Sequence, residues 1–332
     1  MADVAEPEPG RRGVVVKVLA SSINIDDIHG AEGTFYGGIR FGPRPRPHHL
    51  VTPGSDVAGI VKSVGDRVRS VQPGDAVFGV HLPFQAQGAW AEYCAVDERW
   101  LTLKPEGLSF CTAAACAISG LVALSAIHAL NLKGGSHIVV VGATGGIGGM
   151  AVQLASRAGA HVIGICSAAN FERARQLGCS QVFDYHGNAW DSAIKASGNV
   201  RIDGLVDTVG GRDIEEAGRR VLRRDGTFVT VVGPERFIGD HPLGWPGVLT
   251  VLAHIGYRLI SSRLRGPRYI LTGPTVGGGK GLAEIAQMAA AGVLPPIDST
   301  VPFELGPMRH ALRRAAAHQN HGRIVVKMGE AA

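Results

Sequence analysis

With 332 residues, the chain is long enough for about two domains of ordinary size. It is 45% hydrophobic and 18% charged with a formal net charge of +5, which excludes a largely disordered chain and a nucleic-acid footprint alike. Its 47 glycines follow no G-x-y period, so collagen is excluded and the excess must serve turns or close backbone approaches.

The first ten residues carry Asp3, Glu6 and Glu8 and no apolar run, so neither a secretory signal nor a mitochondrial transit peptide is expected. Cys94, Cys111, Cys116, Cys166 and Cys179 are odd in number and form no C-x-x-C pair. They point to a reducing compartment and a cytoplasmic location. Between Gly13 and Leu103, short runs at Val14–Ala20, Val57–Val64, Ala76–Val80 and Ala91–Val96 are broken by turns such as Pro53-Gly54 and Pro73-Gly74. Strands at this close spacing predict an antiparallel, barrel-like unit. The loop Gly42–Pro47 reads as Pro-stiffened and polyproline-like, with His48 and His49 exposed after it.

From Cys111 the pattern changes. The stretch between Glu106 and Lys133 has no charge, but it holds Thr112, Ser119, Gly120, Ser125, His128 and Asn131. It therefore predicts a buried core helix over Cys111–Asn131 rather than a membrane span. Strand His137–Val141, helix Gly148–Ala158, strand His161–Cys166, helix Asn170–Leu177 and strand Gln181–Asp184 follow, then strand Gly204–Thr208, helix Asp213–Leu222 and strand Gly226–Val232. This alternation predicts an α/β fold with a parallel, doubly wound sheet. Arg219, Arg220, Arg223 and Arg224 follow Glu215 and Glu216 at i,i+4 spacing, a solvated, ion-paired helix face rather than a nucleic-acid site. After the apolar stretch Val248–Ile260, strand Tyr269–Val276 and helix Gly281–Ala291 are expected. Ile297–Phe303 and Ile324–Met328, around a helix at Pro307–His318, return to the style of the first part.

Gly142-Ala143-Thr144-Gly145-Gly146-Ile147-Gly148-Gly149 stands between a β-branched run and an amphipathic helix. That context makes a glycine loop a pyrophosphate cradle: a tight turn, a Cβ-free approach, and N–H groups at a helix start. An NAD site usually places an acid about 20 residues on, at the end of the next strand. Here that strand ends Cys166-Ser167 with no acid before Glu172, and Ser167, Asn170, Arg173 and Tyr185 tolerate or bind a 2′-phosphate. NADPH is favoured over NADH.

Asn24-Ile25-Asp26-Asp27 with Gly33, Pro53–Gly59, Gly65-Asp66, Gly74–Val77, Gly88–Tyr93, the Gly142–Gly148 loop, Asp207–Gly211 and Gly322–Val326 occur in order along the chain. Together they resemble the medium-chain dehydrogenase/reductase superfamily, in its zinc-free quinone oxidoreductase branch. The resemblance implies a GroES-like β-rich catalytic domain (1–110, completed by 277–332) and a Rossmann domain (111–276). Zinc alcohol dehydrogenases carry Cys where Asn24 stands and Gly-His-Glu where Gly54-Ser55-Asp56 stands, so no metal site is expected; Cys116 alone cannot hold a catalytic zinc. The chain departs from simple quinone reductases in lacking most of an opening strand hairpin and in a longer Gly33–Pro53 stretch. Gly247–Ala290, with Arg258, Gly266 and Tyr269, is similar to the reticulon-interacting mitochondrial oxidoreductase subgroup.

The resemblance implies that Thr144, Gly145, Gly146 and Ile147 hold the dinucleotide, that Val209, Val232 and Val276 flank the ribose and nicotinamide, and that His321 closes over the cofactor. The nicotinamide would lie in a cleft between the domains. Asn24, in the lost zinc ligand's place, is a candidate hydrogen-bond donor to a substrate carbonyl, against the alternative of a turn-stabilising Asn. Tyr36 is a candidate donor beside it, and Asp27 is read as an internal acceptor that fixes its loop. Three functions stay open: an NADPH-dependent quinone reductase, an NADPH-dependent alkenal or enoyl double-bond reductase, and an NADPH-binding sensor with little turnover. A small-molecule substrate and a homodimer are expected, with no nucleic-acid or membrane partner.

Overall fold

The computed structural model describes residues 3–32, 52–81, 87–186, 190–198, 201–234, 245–264, 266–274 and 278–328. The Gly42–Pro47 loop, His48, His49 and the end of the expected Tyr269–Val276 strand lie outside them. The chain divides into two compact units, Met1–Leu121 with Val276–Ala332, and Val122–Thr275.

In the first unit, β1 (Gly13–Ile23) pairs antiparallel with β2 (Asp56–Val64), with β4 (Tyr93–Asp97) and with β13 (Arg323–Lys327). β3 (Ala76–Val80) and β5 (Leu101–Leu103) extend the sheet beyond β2, and β12 (Ile297–Pro302) extends it beyond β13. β12 lies parallel to β13, so the sheet is mixed rather than purely antiparallel. Val14, Val16, Val18, Val57, Val61, Val77 and Val96 form its core. Helices α1 (Ile25–Glu32), α8 (Gly278–Ala290) and α9 (Leu305–Ala316) belong to this unit.

Helix α2 (Phe110–Leu130) is the expected core helix. It is apolar and long enough to cross a membrane, yet 83% of its apolar window is buried within the protein. Its small residues allow close packing: a Cβ on Gly120 would press within 2.9 Å of Ile285 on α8.

In the second unit all six strands are parallel, in the order β11-β10-β9-β6-β7-β8. They are β6 (His137–Val141), β7 (His161–Cys166), β8 (Cys179–Asp184), β9 (Ile202–Asp207), β10 (Leu222–Thr230) and β11 (Arg268–Leu271). Val139, Val141, Ile163, Ile165, Leu205 and Phe228 fill the core beside them, as expected of strands covered on both faces. The crossovers include α3 (Gly146–Arg157), α4 (Phe171–Leu177), α5 (Trp190–Ala196), α6 (Arg212–Val221) and α7 (Trp245–Leu264).

The α6 ion pairs differ from the i,i+4 set that the spacing suggested. Glu215 is buried and pairs with Arg258 and, at 2.8 Å, with His254, both on α7. Arg220 reaches Asp191 on α5 at 2.6 Å, and Arg223 reaches Asp203 at 2.8 Å. Tertiary partners in fixed positions have displaced the flexible helix-surface pairs.

Candidate dinucleotide site

The glycine loop grows out of β6 by hydrogen bonds back onto its neighbour. Gly142 and Ala143 N–H both donate to Ile165 O, at 3.0 and 3.2 Å, and Gly145 N–H turns back to Gly142 O at 3.0 Å. Gly142 needs its freedom: its φ is +78°, a conformation other residues adopt only under strain. At Gly148 a Cβ would collide with Gly142 O, so the helix can approach the strand end only without one. Gly145 is different, because a Cβ there would meet nothing nearer than Gly142 O at 3.3 Å. Its missing side chain leaves room on the outer side of the loop.

No side chain caps the start of α3. The first N–H groups of a helix have no partner within it, and the helix dipole adds positive potential there. Gly145, Gly146 and Ile147 are half-buried while Thr144 is buried beneath them. An uncapped helix start behind a glycine turn is chemically matched to a phosphate, so the residues fit a dinucleotide.

The adjoining strand ends are tied to this loop. Thr208 Oγ1 donates to Val141 O at 2.8 Å. Asp207, 1% exposed, accepts the N–H groups of Val209 and Gly210 at 3.0 and 2.9 Å on one oxygen, and the Thr230 hydroxyl at 3.1 Å on the other. Thr230 Oγ1 in turn accepts from Gly233 N–H at 3.0 Å and Val232 N–H at 3.3 Å. Val209 and Val232 thus sit on two turns that one buried carboxylate holds together, beside the glycine loop.

At the end of β7, Ser167 Oγ accepts from Asn170 Nδ2 at 2.8 Å, which brings those two predicted residues together. Tyr185 is half-exposed and stacks on His186 at 4.2 Å between ring centroids. Sequence reasoning found no acid on β7 but missed one beside it. Asp184, the last residue of β8, is the register partner of Cys166. Its carboxylate accepts from both the backbone and the ring of His186, and these bonds hold its carboxyl below the usual range. Reading the end of the next strand as well as that of β7 would have found it.

Asn24 belongs to a buried network in the first unit. Both hydrogens of its Nδ2 are engaged, by Asp27 Oδ2 at 3.1 Å and Asp56 Oδ2 at 2.9 Å. A substrate carbonyl would have to displace one of them, so the geometry favours the internal, structure-holding role for Asn24 over that of oxyanion donor. Asp27 also accepts from Asn24 N–H at 2.9 Å and Ser55 Oγ at 2.5 Å, the internal acceptor role expected of it. Burial pushes its carboxyl up to about 6 against the pull of these hydrogen bonds. Asp56, 0% exposed, is met by Arg323 at 2.5 Å, by Ser22, and by Ile118 N–H at 2.8 Å.

His321 lies in the first unit, where its N–H donates to Asp298 at 2.9 Å. Tyr36 and Val276 lie outside the described residues. Among the described residues no three His, Cys, Asp or Glu side chains gather as a metal-ligand group.

Two family descriptions match the chain: Alcohol dehydrogenase GroES-like domain over residues 10–106 and Zinc-binding dehydrogenase over residues 146–240. The chain is 31% identical over 314 residues to "NAD(P)H oxidoreductase RTN4IP1, mitochondrial" of Bos taurus, covering 89% of this chain and 76% of that one. It is 35% identical over 215 residues to the "Chloroplast envelope quinone oxidoreductase homolog" of Arabidopsis thaliana, covering 63% of each. The quinone oxidoreductase from Coxiella burnetii shares the fold, with a TM-score of 0.75 at 24% identity over 99% of this chain and 94% of that one. The expected cytoplasmic location is corrected here, because the bovine relative and its mouse and human namesakes are called mitochondrial.

Proposed function

This chain belongs to the medium-chain dehydrogenase/reductase superfamily, in its quinone oxidoreductase-like branch, and from that premise we propose that it is a zinc-independent NADPH-dependent oxidoreductase that reduces a quinone or similar conjugated carbonyl. The observation that carries the reading is the uncapped start of α3 behind an open Gly145, in line with the carboxyl ends of parallel strands. The nicotinamide, when bound, supplies the hydride. Backbone N–H groups of Gly146 and Ile147 would hold the pyrophosphate, and the turns at Val209 and Val232 would border the ribose. Ser167, Asn170 and Tyr185 would border the adenosine end, where NADPH is the proposed cofactor.

The family description names zinc, and the residues at that place do not suit it. Asn24 Nδ2 and Ser55 Oγ present hydrogens, not lone pairs, to Asp27. Arg323 already supplies the positive partner of Asp56. Metal analysis of the purified protein, and activity after chelation, test this. Less than about 0.1 zinc per chain with full activity is expected if the site cannot bind the ion.

Steady-state NADPH oxidation with 1,2- and 1,4-quinones, 2-alkenals and crotonyl-CoA tests the acceptor. Turnover of quinones supports the reading; turnover of alkenals or enoyl thioesters alone replaces it with double-bond reduction. Tight NADPH binding with no turnover replaces it with a sensor. A homodimer is also proposed, supported by the exposed Leu249, Leu252, Tyr257, Ile260 and Leu264 on α7. Light scattering would read a monomer mass if this is wrong.

A further inference from the structure

The acid that sequence reasoning missed stands where a dinucleotide fold reads the adenosine ribose. Parallel pairing of β7 with β8 sets Asp184 opposite Cys166, immediately before Ser167 and Ala168. A free carboxylate at this place has two consequences. It offers lone pairs to the 2′- and 3′-hydroxyls of NADH, and it repels a 2′-phosphate that carries about −1.5 to −2 charge.

Asp184 is not free. A carboxylate has about four acceptor sites, and His186 places two donors on Oδ1 of this one: its N–H at 3.0 Å and its Nδ1 at 2.7 Å. Against a carboxylate, Nδ1 must carry the hydrogen. The backbone and ring of His186 together engage Oδ1, and an imidazolium there offsets the carboxylate charge that a 2′-phosphate would meet. Tyr185 stacks on the imidazole at an interplanar angle of 27° and holds the ring in place.

We propose that His186 sets the preference for NADPH over NADH by masking Asp184, the pair acting as the cofactor-selecting element of this chain. The inference rests on the glycine loop's being a dinucleotide site. It goes beyond that reading in naming a residue pair on β8 and its following turn, which neither the glycine motif nor the end of β7 contains.

The test is equilibrium binding of NADPH and NADH without any acceptor, by nicotinamide fluorescence and calorimetry. The proteins are the wild type, His186→Ala, Asp184→Asn and the double variant. Like charges brought together cost several kcal/mol, so His186→Ala should weaken NADPH binding by about tenfold or more. NADH binding should hold or tighten, because the unmasked carboxylate offers lone pairs to its ribose hydroxyls and meets no 2′-phosphate to repel. Asp184→Asn added to His186→Ala should restore NADPH binding to within about threefold of wild type, since the exposed charge is gone. An NADPH-to-NADH affinity ratio in His186→Ala within about twofold of wild type overturns the proposal. Equal loss of both cofactors does the same, because His186 would then be a support of the turn alone. Wild-type protein that binds neither dinucleotide overturns the dinucleotide reading itself, a result distinct from an unmoved ratio.

Discussion

Asp207 and Thr230, each 1% exposed, join the ends of β9 and β10 through a 3.1 Å hydrogen bond. Between them they accept four backbone N–H groups, from Val209, Gly210, Val232 and Gly233. Two glycine-rich turns that would otherwise move independently are thereby fixed to one buried pair. Thr230→Val keeps the shape and removes the acceptor. A buried donor left unmatched costs about 1–3 kcal/mol, so urea unfolding should show a loss of that size. Dinucleotide affinity should fall with it, and unchanged stability would mean that water replaces the hydroxyl.

Gly145→Val and Gly148→Ala separate the ligand-facing and fold-facing glycines. At position 145 a Cβ meets one atom, Gly142 O at 3.3 Å, a tight contact that a small shift of the turn relieves. The variant should therefore melt near the wild-type temperature and lose dinucleotide binding. At 148 even a methyl group collides with Gly142 O, so stability itself should fall. A Gly145→Val protein with normal NADPH affinity would sink the loop assignment.

Asp27 makes stability depend on pH in a direction opposite to that of most carboxylates. Its folded pKa of about 6 lies above the 3.8 that is ordinary for an aspartate carboxyl. The folded state therefore binds the proton more tightly, and stability falls as pH rises through this window. The contribution is complete below about 3.8 and is lost by about 6. Relative to Asp27→Asn, wild-type stability should decline by on the order of 2–3 kcal/mol between about pH 4 and pH 7. A constant difference across that range would show that the carboxyl titrates as an exposed one.

Arg323→Met leaves Asp56, which is 0% exposed, without its cation. Breaking one side of a buried pair costs about 3–5 kcal/mol. Arg323→Met with Asp56→Asn should recover part of that loss, measured as coupling in a double-mutant cycle by urea unfolding.

Much of the second unit was legible because its signals are local. β6 and β7 fall on the very residues expected from their β-branched runs, and α3 begins two residues before the predicted Gly148. Helices α1 and α5 were not expected. With eight and seven residues, each is too short to show a full amphipathic period. β5 has three residues and exists through its pairing with β3, a contact no three-residue pattern can announce.

The residues of the buried network were each visible in the chain, but not their common place. Asn24, Asp27, Ser55 and Asp56 come from two segments, and Arg323 lies 267 positions beyond Asp56. The sequence by itself determined the glycine loop, its strand and its helix, because a tight turn and a Cβ-free approach constrain neighbouring residues only. Strand register decided the rest. It set Asp184 against Cys166, while the placing of β13 and β2 on either side of β1 brought Arg323 to Asp56, and so determined which charges are masked, which are buried, and what each can bind.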